Sequence, residues 1–427
     1  MLYFKTIFDI VNRYIDENIK SVIISDGETF IKYKSEKDFI DELDKLFVSH
    51  PDIKFTICFK NDVCYKNFRT IKKYPNVKIC KASIPLNTGS SYDLALSIQP
   101  FINEKENYTK SYGFSSNNLC CVCAEDFLNN INSNGKVIFL APSSIMRSTC
   151  AERFRTKIID GYRLKTVSLF PGNKFTAVQT ALFEIEHGVT TDIELNKYKL
   201  EDNELIKTES IPISKVVVEK QDSLLIHLFS SQQDGILKKY YEPRLEKQKL
   251  SNIAEVFRGK SALKYKATGN IKVINIIDVK ESYIDFSNLR NISEEKRKNL
   301  KYELQDGDIL LTARGTVMRT AVFEKPDNQM YVAAAGLIVI RPKNISISKY
   351  LQMFFSSEVG MKILDSYKAG QTFINILPID VEKILIPAPT EKMLDYAKKF
   401  QKANDKVEEA KKEVEKLASD FLSEIFR

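Results

Sequence analysis

The sequence lacks what several kinds of chemistry need. Only three histidines occur in 427 residues, His50, His187 and His227, and they lie far apart. The single Cys120-x-x-Cys123 spacing has neither a second pair nor a nearby histidine to complete a tetrahedral zinc site. No metal is expected, and the pair reads as buried helical cysteines. The seven cysteines are odd in number and crowd at Cys120, Cys121 and Cys123, which is no secreted disulfide framework but a set of reduced thiols. No run approaches the roughly 20 apolar residues that cross a bilayer, and the opening MLYFKTIFDIVNRYIDEN has charges spaced through it, unlike a secretory segment. A soluble, cytoplasmic protein without membrane contact is expected. No cluster of carboxylates with a lysine marks a nuclease.

What is present suffices for at least two cores, since 43% of the chain is hydrophobic. The net charge of +8 is modest, but its distribution is uneven. Residues 247–389 hold 22 Lys and Arg against 15 Asp and Glu, residues 390–427 hold 9 of each, and the rest of the chain is nearly balanced. A surplus confined to one segment points to a polyanionic partner there.

Residues 1–217 alternate short apolar runs with helical periodicity, the pattern of a largely parallel α/β sheet. The expected strands are 21–24, 53–59, 77–80, 92–97, 137–140, 166–170 and 180–185, the last two without a helix between them; expected helices cover 36–46, 118–131 and 144–159. Residues 218–246 loosen into short polar and apolar pieces with Pro243 near their end, which suggests a connection. Residues 247–389 carry short β-rich runs separated by turns at 266–269 and 305–307, predicting an α+β domain with mostly strand. Residues 390–427 repeat Met393, Phe400, Val407, Val414 and Phe421 at seven-residue spacing, interleaved with Tyr396, Ala403, Ala410 and Leu417. That is a long coiled-coil helix whose apolar seam must be covered, either by another part of this chain or by a second chain, and Met393, Phe400, Val407, Val414 and Phe421 are the expected dimerisation residues.

The order Tyr92–Phe101, Gly135–Ser144, Tyr162–Leu164, Phe170–Phe175 and Val178–Glu184 resembles the N6-adenine DNA methyltransferases, particularly type I modification subunits. The resemblance implies a Rossmann-like methyltransferase fold. In that family a glycine-rich turn cradles S-adenosylmethionine, and an Asn-Pro-Pro-Tyr or Asn-Pro-Pro-Phe motif accepts the hydrogens of the target amine. Here the turn reads Ser25-Asp26-Gly27 with a single glycine, and the motif reads Ile98-Gln99-Pro100-Phe101. Isoleucine accepts no hydrogen bond, and a one-glycine turn is no cradle. Neither catalysis nor cofactor binding is expected of this half, which would serve as scaffold or partner dock.

Leu250–Lys260, Leu304–Gly315, Ala335–Pro342, Gly370–Leu377 and Ile384–Pro389 resemble the target-recognition domain of type I specificity subunits, followed by their spacer helix. Those subunits carry two such domains, whereas this chain has one, so pairing of two copies would imply a two-fold symmetric site on double-stranded DNA. The expected DNA contacts are Arg258, Lys260, Lys264, Lys266, Arg314, Arg319, Lys368, Gln371 and Thr372, with Arg314 and Gln371 as base readers. Among the interleaved aromatics, Tyr265 and Tyr367 are candidates for stacking and Phe373 for the core. The implied function is the specificity component of a restriction-modification or DNA-methylation system, working with an active methyltransferase subunit, a second copy, or both. Two rival readings are an active S-adenosylmethionine-dependent adenine methyltransferase with divergent motifs, and a coiled-coil interaction protein that does not bind DNA.

Overall fold

A computed structural model describes residues 9, 12–25, 36–59, 74–81, 91–98, 107–172, 179–202, 204–221, 223–232, 235–241, 246–261, 263–266, 268–294, 300–315, 317–367 and 374–426. The chain divides into two compact units, 1–229 and 230–427.

The first unit is built on a nine-stranded sheet. Its elements run β1 (Ser21–Ser25), α1 (Glu36–Ser49), β2 (Lys54–Phe59), β3 (Val77–Lys81), β4 (Tyr92–Ile98), α2 (Leu119–Leu128), β5 (Ile131–Pro142), α3 (Glu152–Asp160), β6 (Arg163–Phe170), β7 (Thr180–Glu186), β8 (Asp192–Glu201) and β9 (Glu204–Ser214). The strand order is β3-β2-β1-β4-β5-β7-β6-β8-β9. The first five strands are mutually parallel, and β7 runs antiparallel to both β5 and β6. Strands such as β4, YDLALSI, are apolar without alternation because both faces are covered. On one face Leu43, Leu46 and Phe47 of α1 join Val22, Ile24, Leu94 and Leu96; on the other, Phe139 meets Phe154 of α3 at a ring separation of 5.6 Å. Every strand expected from the apolar runs of this half forms. The edge hairpin β8–β9 was not among the expected strands, because its residues alternate charged and apolar instead of forming an apolar run.

The segment 218–246, expected as a loosened connection, contains helical turns. Helices α4 (Lys215–Gln221), α5 (Ile226–Gln232) and α6 (Gly235–Tyr241) occupy most of it, and the boundary between the units falls inside α5. Leu224, Ile226 and Leu228 are fully buried, and Leu224 N–H donates to Met146 O at 3.0 Å.

The second unit consists of small sheets with helices. It contains β10 (Lys247–Lys249), β11 (Ala254–Arg258), β12 (Tyr265–Lys266), β13 (Ile271–Ile274), β14 (Arg290–Ile292), β15 (Ile309–Thr312), β16 (Arg314–Gly315), β17 (Thr320–Val322), β18 (Met330–Ala333), β19 (Leu337–Pro342), α7 (Ser348–Ser356), α8 (Glu358–Ser366), β20 (Ile374–Asn375), α9 (Pro378–Glu382), β21 (Leu385–Pro387) and α10 (Glu391–Ile425). Two four-stranded sheets, β11-β19-β15-β17 and β12-β14-β13-β18, carry the core, with Leu310, Phe323, Tyr331 and Val339 in one cluster. The ends of the domain are tied together by β10 pairing with β21 and by the Tyr240 hydroxyl donating to Leu385 O at 2.5 Å.

The Leu304–Gly315 stretch owes its form to a buried ion pair. Arg341 Nε donates to Asp308 Oδ1 at 2.8 Å and its terminal nitrogen to Oδ2 at 2.7 Å, while Gln305 N–H donates to the same Oδ2 at 2.9 Å. Gly307 precedes this aspartate with φ +87°, where an added Cβ would lie 2.5 Å from the Ile345 side chain.

The 35-residue α10 starts on a Thr390 cap whose hydroxyl accepts from Met393 N–H. Its first turns pack on α7, burying Ala397 and half-burying Met393 and Phe400. Lys411 pairs with Glu281 at 3.3 Å. From Val407 onward the apolar positions stand exposed: Val414 at 65%, Leu417 at 61% and Phe421 at 66%. Among the described residues no helix is long and apolar enough to cross a membrane.

Candidate nucleic-acid interface

One end of the second unit gathers its connecting segments. Ala334 N–H donates to Ile274 O at 2.9 Å, Ala313 N–H to Gly336 O at 2.9 Å, and Ile376 N–H to Ala313 O at 3.3 Å. The β16–β20 register sets Arg314 opposite Asn375 and Gly315 opposite Ile374. Gly259 N–H donates to Leu337 O and Lys260 N–H to Ala333 O, at 3.0 and 2.7 Å. Only a glycine allows that approach, since a Cβ at 259 would lie 2.2 Å from Ala334 O. Segments 258–260, 274–276, 312–319, 333–337 and 374–376, distant in sequence, therefore meet in one place.

The expected DNA contacts separate into two groups here. Arg258 is half-buried and faces inward, donating to Ala335 O at 3.0 Å and Ile376 O at 2.6 Å. Burial, and then the neighbouring charge of Arg314, lower its pKa from the ordinary arginine value, with Asp380 acting the other way. Lys260 is also engaged, pairing with Glu294 at 2.8 Å and lying 5.8 Å from the Tyr302 ring centre. Arg319 is half-buried and donates to Val279 O at 3.4 Å.

Arg314, Lys264 and Lys266 instead have exposed side chains, and no hydrogen bond or ion pair to any described residue engages them. Tyr265, between the two lysines, is 40% exposed; its hydroxyl donates to Asn275 Oδ1 at 2.7 Å, and the Arg290 guanidinium sits 5.1 Å from its ring centre. Arg290 was absent from the sequence-based set, and only strand pairing reveals it, because β14 lies between β12 and β13. Tyr367 is buried at 3% and belongs to the core, not to a stacking platform. Lys368, Gln371, Thr372 and Phe373 lie outside the described residues.

Exposed cations on short strands and their connections, beside an aromatic ring with a guanidinium over it, can neutralise phosphates and reach base edges.

In the first unit the crevice outside the carboxyl ends of β1 and β4 is where a doubly wound sheet holds its ligand. Ser25 ends β1 and pairs in register with Ser97, while Ile98 is fully buried against Leu140, Phe170 and Leu182. Its side chain offers no hydrogen-bond acceptor. Asp26, Gly27, Gln99, Pro100 and Phe101 lie outside the described residues. Among the described residues no group of three or more His, Cys, Asp or Glu could hold a metal ion.

Residues 244–416 match the protein-family profile described as "Type I restriction modification DNA specificity domain". Residues 244–416 are therefore similar to that family, over less than half of the chain. No curated protein matches the chain. Among solved structures it is similar to a modification subunit of a putative type I restriction enzyme from Vibrio vulnificus YJ016, with 11% identity, 48% of each chain covered and a TM-score of 0.36. It is also similar to the type I restriction-modification methyltransferase subunit from Streptococcus thermophilus, with 12% identity, 52% of this chain and 56% of that one covered, and a TM-score of 0.40. The type IIG restriction endonuclease BpuSI aligns over 93% of this chain and 60% of its own at 8% identity, with a TM-score of 0.43. The chain spans about half the length of the modification subunits it matches.

Proposed function

We propose that this protein is the sequence-recognition component of a restriction-modification or DNA-methylation system. Its second unit reads double-stranded DNA through Arg314, Lys264, Lys266 and the Tyr265–Arg290 pair. Its first unit keeps a Rossmann-like methyltransferase fold as a dock for an active methyltransferase subunit, without binding S-adenosylmethionine itself. A second copy covers the exposed stretch of α10 from Val407 to Ile425, and the complex works in the cytoplasm. The observation that carries this reading is the specificity-domain match over 244–416, the same segment that bears the positive surplus and the outward-facing cations.

The test is selection from a random-sequence duplex pool by the purified protein, alone and with the methyltransferase encoded beside it, at two salt concentrations. Enrichment of one motif, with affinity falling steeply as salt rises, is expected. S-adenosylmethionine should leave the melting temperature of the protein alone unchanged, whereas a hundredfold excess over a real dissociation constant would add about 2.7 kcal/mol. Absence of DNA binding under both conditions overturns the proposal.

A further inference from the structure

The inward-facing Arg258 poses a problem that DNA recognition alone does not solve. A half-buried guanidinium bound to two neutral carbonyls, beside a second arginine, is a costly way to hold three loops together. An apolar side chain of similar size would pack there without the desolvation. What the guanidinium supplies is geometry, because its rigid fork of donors reaches two acceptors at a set angle.

Those acceptors are informative. Ala335 precedes Gly336, whose carbonyl receives the Ala313 N–H; Ile376 follows β20 and donates to the Ala313 carbonyl. Arg258 thus holds Ile376, one hydrogen-bond partner of Ala313, and the residue before the other, Gly336; Ala313 itself precedes Arg314. The β16–β20 ladder that carries Arg314 is only two residues long on each strand. So short a ladder does not set its own position, and it takes its place from what surrounds it.

We propose that Arg258 is a positioning residue for sequence reading: its guanidinium, bound to the Ala335 and Ile376 carbonyls, sets where Arg314 meets a base edge, and it makes no DNA contact itself. This rests on the DNA-recognition reading above. The like charge of Arg258 next to Arg314 further favours an outward course for the Arg314 side chain.

The test compares full-length Arg258→Lys, Arg258→Met, Arg314→Ala and the Arg258→Lys/Arg314→Ala double variant with the wild type. Each is titrated on the selected duplex and on a scrambled one across a salt series. Hydrogen exchange without DNA is followed in peptides spanning 312–317 and 374–377. Lysine keeps the charge but cannot bridge both carbonyls. The expected result is a loss of about tenfold or more on the selected duplex, falling on the base pair that Arg314→Ala also relaxes. Affinity for scrambled DNA and the salt slope should stay at wild-type values, and the double variant should bind no worse than Arg314→Ala. Exchange should quicken in those two segments alone.

A salt slope reduced by about one, with equal losses on both duplexes, would mean that Arg258 touches a phosphate and would overturn the proposal. So would additive losses in the double variant, or unchanged exchange. A wild type that selects no motif defeats the recognition reading itself, and the exchange result then judges the Arg258 clamp separately. Arg258→Met separates charge from fork: if it binds and exchanges like the wild type, the clamp is unnecessary.

Discussion

Replacing Asp308 with alanine tests whether the buried pair in the Leu304–Gly315 motif holds the second unit together. The carboxylate is 1% exposed and its partner Arg341 is 19% exposed. Alanine removes two charge-assisted bonds of 2.8 and 2.7 Å and the acceptor for Gln305 N–H. Breaking a buried pair by deleting one partner costs about 3–5 kcal/mol. Arg341 keeps its 2.7 Å bond to Glu303 O and its place 5.2 Å from the Phe257 ring centre, which puts the expected loss near the lower end, about 3 kcal/mol. Asparagine retains the shape and the Gln305 acceptor, so about 1–2 kcal/mol is expected for Asp308→Asn. Hydrogen exchange on the full chain reads this directly as faster opening of peptides in β15 and β19, with β1 and β4 unchanged. A loss within about 0.5 kcal/mol for Asp308→Ala would refute the reasoning, as would equal losses in both units.

Further expectations concern the other elements. Burial raises the Asp93 carboxyl pKa, but bonds from the Lys20 and Ser21 N–H groups, Asn132 and the Ser21 hydroxyl outweigh it and hold the carboxyl below its ordinary range. Its contribution is therefore fully present above the unfolded-state value of about 3.9 and is lost as pH falls through the lower folded value. Asp93→Asn should destabilise the first unit at neutral pH and flatten its stability profile below about pH 4, measured by acid titration of exchange in β1 and β4; an unaltered profile would count against it. Val414→Glu with Phe421→Glu should convert a dimer into a monomer in sedimentation equilibrium without changing exchange in either unit. A monomeric wild type would remove the helix as a pairing element. Lys264→Ala with Lys266→Ala should weaken selected and scrambled duplexes alike and lower the salt slope by about 0.9 for each phosphate no longer neutralised. A weakening confined to the selected duplex would instead make them base readers.

Sequence by itself determined seven of the nine strands of the first sheet, because strands buried on both faces must be continuous apolar runs, as in Val22–Ile24 and Leu94–Leu96. It also located the seam of the long helix, since a seven-residue apolar repeat has few other physical outcomes. Tertiary structure decided which basic residues face outward. Arg258, Lys260 and Arg314 are equivalent as letters beside glycines, yet only the meeting of segments 34 to 118 residues apart turns Arg258 onto the Ala335 and Ile376 carbonyls, pairs Lys260 with Glu294 and leaves Arg314 exposed. The same non-local pairing brings Arg290 over Tyr265 and lets α7 cover the start of the helical seam while Val414 and Phe421 stay exposed. Apolar periodicity is a local property of the chain, whereas the partner of a charged side chain depends on which distant segment folds against it.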